Sequence, residues 1–128
     1  MRNMSFALTI EQVRNKTKTV TRRTGWATLK PGTLLQPVLK GMGLKKGEKA
    51  EKIGGPIRVV SVRREPLMMM DQADCAREGF PEMTVAGFMS MFCASHRVVE
   101  WDGWPSLRNR SRSCEPRDEV TRIEFEYL

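Results

Sequence analysis

The run Glu119-Val120-Thr121-Arg122-Ile123-Glu124-Phe125-Glu126-Tyr127-Leu128 alternates apolar and charged side chains. A period of two places Ile123, Phe125 and Tyr127 on one face and Arg122, Glu124 and Glu126 on the other, with Val120 or Thr121 as the start. This predicts a half-buried antiparallel strand, and a sheet to receive it. Working outward, Ile57 to Val62 is the best internal strand, β-branched at Ile57, Val59, Val60 and Val62, ending at Arg63-Arg64-Glu65 and terminated by Pro66. Thr33 to Leu39 reads as a strand in which Pro37 marks an edge or a bulge. Met4 to Thr9 is a short apolar strand, and Val98-Val99 begins another.

Helical signals lie between these strands. Ile10 to Arg14 reads as one or two turns after Ser5 or Thr9. Asp71 caps a helix running to about Arg77, which Gly79-Phe80-Pro81 breaks. Thr84 caps a second helix over Val85 to Ser95, with Phe88, Met91, Phe92 and Ser95 on one face. Met68, Met69, Met70, Met83, Met89 and Met91 read as adaptable core filler. The sum is an α+β fold: a small, partly closed β-barrel, mixed or antiparallel, with two or three short helices over its open ends.

The 128 residues are one domain by size, with polar insertions at about 40–55 and 101–118. Gly41-x-Gly43 and Lys45-Lys46-Gly47 lack the order of a phosphate-binding P-loop, so the first insertion reads as a lysine-rich loop. The formal charge of +7 is uneven: residues 1–65 hold 15 Lys or Arg against 4 Asp or Glu, and residues 66–128 hold 7 against 11. Such polarity favours a polyanionic partner, RNA or single-stranded nucleic acid. Cys75, Cys93 and Cys114 form no CxxC pair and point to a reducing compartment. With His96 the single histidine, a His-rich metal site is excluded, and neither metal nor cofactor is expected. No apolar run approaches a membrane span and no signal-peptide core stands at the N-terminus, so the expectation is a cytoplasmic protein with no membrane partner.

The chemistry concentrates in Asn15 to Arg23, where four cations stand in nine residues among hydroxyls. If the segment is extended, Thr19, Thr21 and Arg23 share one face and Lys18, Val20 and Arg22 the other. Cations interleaved with hydroxyls suit phosphate oxygens, a nucleobase edge or a developing oxyanion. Lys18, Arg22, Arg23 and Trp26 are the ligand-binding candidates, Trp26 as a stacking platform. Lys18, Thr21 and Glu78 are the catalytic candidates: a buried lysine beside a carboxylate and a hydroxyl can act as a base toward a carbonyl. Glu78 stands where a helix turns into a loop. His96 has no partner visible in the sequence. Trp101 and Trp104, with the Arg108, Arg110, Arg112 alternation, offer a loop for stacking or for a protein partner.

Lys18-Thr19-Val20-Thr21-Arg22-Arg23, Leu29-Lys30-Pro31-Gly32, Ile57 to Val62, Glu78-Gly79-Phe80 and Ile123-Glu124-Phe125 together resemble the ASCH domain family across essentially the whole chain. That family carries a glycine, a lysine two residues on and an arginine five beyond. Lys18 and Arg23 match, and Lys16 stands at the glycine position. The resemblance implies a PUA-related barrel whose cleft binds RNA or a nucleoside. It also implies, on Lys18, Thr21 and Glu78, a metal-independent amidohydrolase acting on N4-acetylcytidine. Other members are ribonucleases or RNA-associated modules, and long forms like this one include phage-borne proteins. A noncatalytic protein-interaction module is the remaining expectation.

Overall fold

A computed structural model describes residues 1–40, 44–100 and 110–128. Five strands form the main sheet: β1 (Arg2–Ser5), β2 (Val20–Arg23), β3 (Leu34–Val38), β4 (Ile57–Pro66) and, last in the chain, β7 (Glu119–Tyr127). A second sheet is the hairpin β5 (Arg97–Glu100) and β6 (Arg110–Ser113). The helices are α1 (Ile10–Arg14), α2 (Gln72–Arg77) and α3 (Val85–Ser95). The fold is therefore α+β with a mixed sheet of order β1-β3-β4-β7-β2, in which only β1 and β3 run parallel.

β7 lies inside the sheet, pairing along its length with β4, from Ile57↔Tyr127 to Pro66↔Glu119, and with β2 through Thr21↔Ile123. Ile123 and Phe125 enter a core with Met4, Phe6, Val13, Leu35, Ile57 and Val59. A register shift between Val59 and Ser61 changes the phase of β4, so that Val62 packs against the same core while Val60 is left exposed. The paired β7 carries β4 on through Arg63-Arg64-Glu65, past the end expected from its charges.

Burial on β7 departs from simple alternation. Val120 joins a second core with Leu67, Met70, Cys75, Phe88 and Phe92, and Arg122, expected to face solvent, is buried. The reason is α2, which covers that end of the strand and brings Asp74 against Arg122 at 3.1 and 3.2 Å. Both caps expected for the longer helices are made: Asp71 accepts from the Asp74 amide and Thr84 from the Gly87 amide. β1 is shorter than Met4–Thr9, because Phe6 to Thr9 turns into α1 through a Thr9 amide bond to the Phe6 carbonyl. Pro37 stands where β3 has parted from β4 after Leu35, and its carbonyl accepts from the Ile53 amide instead.

The ladder does not close into a ring; β1 and β2 are its two edges. They are nonetheless joined through a side chain. Arg23 of β2 donates from Nη2 to the Ser5 carbonyl of β1 at 2.5 Å, and its guanidinium lies 4.9 Å from the centre of the Phe6 ring. The Arg/Ser stretch expected to be loop is in part strand β6, whose Arg112 forks onto Asp118 at 2.7 Å. Trp101, Trp104, Arg108 and the Gly41–Gly43 turn lie outside the described residues.

Candidate functional site

Three backbone contacts place Lys18. Its amide and that of Thr17 both donate to the Gln12 carbonyl, folding the segment back on α1. Its own carbonyl accepts the Tyr127 hydroxyl at 2.6 Å. One residue on, Thr19 is pinned between the Arg77 carbonyl and the Phe125 amide. Lys16 makes the lead-in turn with φ of 62°, a left-handed conformation for which glycine is the default. The Lys18 side chain then enters the interior, where Nζ donates to Glu78 Oε1 at 2.9 Å and to the Glu78 carbonyl at 2.8 Å.

Glu78 is held from its own side by the way α2 ends. The Phe80 amide donates to the Cys75 carbonyl and the Gly79 amide to that of Ala76, the paired bonds of a Schellman motif. Gly79 takes φ of 101°, and a Cβ there would stand 2.7 Å from Gln12 Cγ. This close approach is what lets the Glu78 corner meet Lys18.

Arg22 binds the other carboxylate oxygen of Glu78 at 2.9 Å, Glu65 at 3.2 Å, and Asp74. Asp74 also takes Arg122 and Arg77. Lys18, Glu78, Arg22 and Asp74 are thus one buried chain of alternating charge. Glu78 and Asp74, four apart on α2, share a helix face; that spacing was the available signal for Asp74.

Lys18, Thr21, Arg22, Arg23 and Glu78 all line one cavity of about 300 Å³. Its other walls include the Ser5–Thr9 segment, Phe80, Phe88 and Phe92, and His96. Thr21 is brought to the cavity, but its hydroxyl accepts from Arg23 Nε at 3.2 Å rather than meeting Lys18 or Glu78. Trp26 is not a wall. It adopts φ of 60°, packs against the first core, and carries the Arg2 guanidinium 4.3 Å from its ring centre. The aromatic walls and His96 escape sequence reasoning as a group because they converge only through the packing of α3 on the sheet.

Burial dominates the electrostatics. It pulls Lys18 below the ordinary lysine value, with Arg23 and Arg22 adding to the effect and Glu78 opposing without reversing it. Arg23 is pushed down to about 10 by burial, still a cation at neutral pH. Burial also lowers His96. For Asp74, burial would raise the carboxyl, yet hydrogen bonds from Arg122, Arg22 and Arg77 hold it well below the usual carboxylate range. Lys18 is thus a lysine of lowered basicity on the wall of a cavity that Thr21 and apolar rings also line. Among the described residues no group of three or more His, Cys, Asp or Glu is placed to hold a metal ion, and no helix is long and apolar enough to cross a membrane.

No family model matches the chain, and no curated protein matches it. The fold is similar to the crystal structure of protein EF3133 from Enterococcus faecalis V583, which carries the family label DUF984. The two align with a TM-score of 0.53 at 14% identity over 93% of this chain, which spans 66% of the other. At that identity the likeness is one of fold.

Proposed function

We propose that the cavity binds a nucleoside, free or as a unit of RNA, in an ASCH-like module whose curled sheet is a PUA-type barrel with one open seam. The observation that carries this reading is the buried Lys18–Glu78 pair on the wall of a cavity that Phe80, Phe88 and Phe92 also line. Aromatic faces accept the plane of a base, and a few polar groups orient it. A volume of about 300 Å³ suits one base better than a run of polymer. Isothermal titration with cytidine, N4-acetylcytidine and short single-stranded RNA tests it. Nucleosides should bind, and Lys18→Met should abolish binding. If only RNA binds, with a log–log salt slope near −0.7 per phosphate and indifference to Lys18→Met, the site is a surface and not this cavity.

A second reading, hydrolysis of an acyl amide on the base, is favoured by the lowered basicity of Lys18. A water oxygen adds to the acyl carbon while its proton passes to neutral Lys18 Nζ. The carbon–nitrogen bond then breaks and that proton leaves with the amine, giving a carboxylic acid and the free base. Glu78 stabilises the transient ammonium. Thr21, accepting from Arg23, keeps its own proton to orient the water or the acyl oxygen. The rate should rise with pH as Lys18 loses its proton. Chromatography of N4-acetylcytidine incubations checks this; unchanged substrate, or full rate in Lys18→Ala and Glu78→Ala, rejects it.

A further inference from the structure

His96 stands at the end of α3 with its ring flat against Phe92, centroids 3.8 Å apart and planes within 7°. Its Nδ1 lies 2.9 Å from the Phe92 carbonyl, which can only accept. Nδ1 also lies 3.0 Å from Ser95 Oγ, which accepts from Nδ1 when its single proton is given to either the Met91 or the Phe92 carbonyl, each 3.1 Å away. Two acceptors at Nδ1 require the proton to sit there. The neutral ring then keeps its lone pair on Nε2, for which no hydrogen-bond partner occurs among the described residues. The ring is a wall of the cavity that also holds Lys18 and Thr21.

We infer that His96 Nε2 is a hydrogen-bond acceptor of the cavity and selects ligands that present an N–H donor beside a carbonyl oxygen, the donor meeting His96 and the oxygen meeting the Lys18–Thr21 side. This rests on the nucleoside reading and narrows it to bases carrying a secondary amide or a lactam. Among the charged walls, Lys18, Arg22 and Arg23 donate, and Glu78 is occupied by Lys18 and Arg22 through both oxygens. Apart from hydroxyls and backbone carbonyls, this leaves the His96 ring nitrogen as the acceptor on the aromatic side of the cavity. Burial keeps the ring neutral near pH 7, with Arg23 from β2 reinforcing that and the Phe92 carbonyl and Glu78, from the end of α2, opposing it.

Because His96 is the single histidine, its nitrogens give one unobscured pattern in a long-range proton–nitrogen NMR spectrum. The free protein should show the Nδ1–H tautomer, with Nε2 of pyridine type. N4-acetylcytidine should move the Nε2 resonance, and its N4-methylated analogue, which lacks the donor, should bind about 5- to 10-fold more weakly without moving it. His96→Phe keeps the stack and should lose that discrimination; His96→Gln, with an acceptor near the Nε2 position, should restore it. An Nε2–H tautomer, an unmoved Nε2 on binding, or equal affinity for both nucleosides overturns the His96 assignment while leaving the cavity reading standing. If neither nucleoside binds at millimolar concentration, both readings fall.

Discussion

Glu78 compensates two buried cations, whereas Lys18 compensates only one carboxylate that Arg22 also serves. Removing the two side chains is therefore not equivalent. Glu78→Ala strands Lys18 and weakens Arg22, and should cost about 3–5 kcal/mol, the usual scale for breaking a buried pair. Lys18→Met removes a desolvated charge, leaves Glu78 held by Arg22, and should cost distinctly less. Urea denaturation of both variants decides it; a Lys18→Met loss equal to or larger than that of Glu78→Ala contradicts the pairing described. Two glycines make a second contrast. Gly32 has φ of 89° and open space for 4 Å around the point where a Cβ would stand, while Gly79 adds the 2.7 Å approach to Gln12. Gly32→Ala should cost about 1–2 kcal/mol from backbone conformation alone. Gly79→Ala should cost more, and it should also displace Glu78 and lower ligand affinity. Equal losses at the two sites would mean that the Gln12 contact gives way freely.

β7 is the element on which the sheet depends, because it pairs on both edges and supplies residues to both cores. Ile123→Ala should cost about 2–5 kcal/mol, whereas exposed Glu126→Ala should stay within about 0.5 kcal/mol. Removing residues 120–128 should abolish cooperative melting, and a truncated chain with the parent's transition would refute the central placement. This strand is legible in the sequence because its alternation is local and long. So are α2 and α3, whose caps Asp71 and Thr84 sit directly before their apolar runs. The burial of Arg122 is not legible, since it depends on Asp74 lying 48 residues away in sequence. Nor is the seam closed by Arg23 on Ser5, which is a side-chain contact between strands that share no ladder. β6 reads as loop because Arg/Ser alternation has no apolar face; its partner β5 and the fork on Asp118 supply what hydrophobic burial does not. Lys18 and Glu78 stand out by residue type and position, but their meeting depends on Gly79, whose role only the packing against Gln12 reveals.

At the scale of the molecule, the basic first half and the acidic second half interlock. Lys18 and Arg22 meet Glu78 and Asp74 in the interior, and Arg58 meets Glu126 at the surface at 3.1 Å. The charge asymmetry is thus partly consumed in joining the two halves, which makes the fold sensitive to acid. Asp74 and Asp118 both have carboxyls held below the ordinary aspartate value of 3.8, Asp118 at about 2 chiefly through hydrogen bonds from Arg112. Between their folded and unfolded values the unfolded chain binds more protons, so stability falls as pH falls through that window. Lys18 has the same sign of effect at the other end: with its folded value lowered, stability rises with pH until the unfolded lysine, near 10.5, also loses its proton. Melting temperature should therefore vary little from pH 5 to 7 on account of the carboxylates and drop steeply from about pH 4 to pH 2. Asp74→Asn should start from a lower melting temperature and show a shallower acid drop, because Arg22 and Arg122 have already lost their shared carboxylate. A parent profile flat down to pH 2, or an Asp74→Asn profile parallel to it, would show that the buried ion chain does not join the halves in the way its geometry implies.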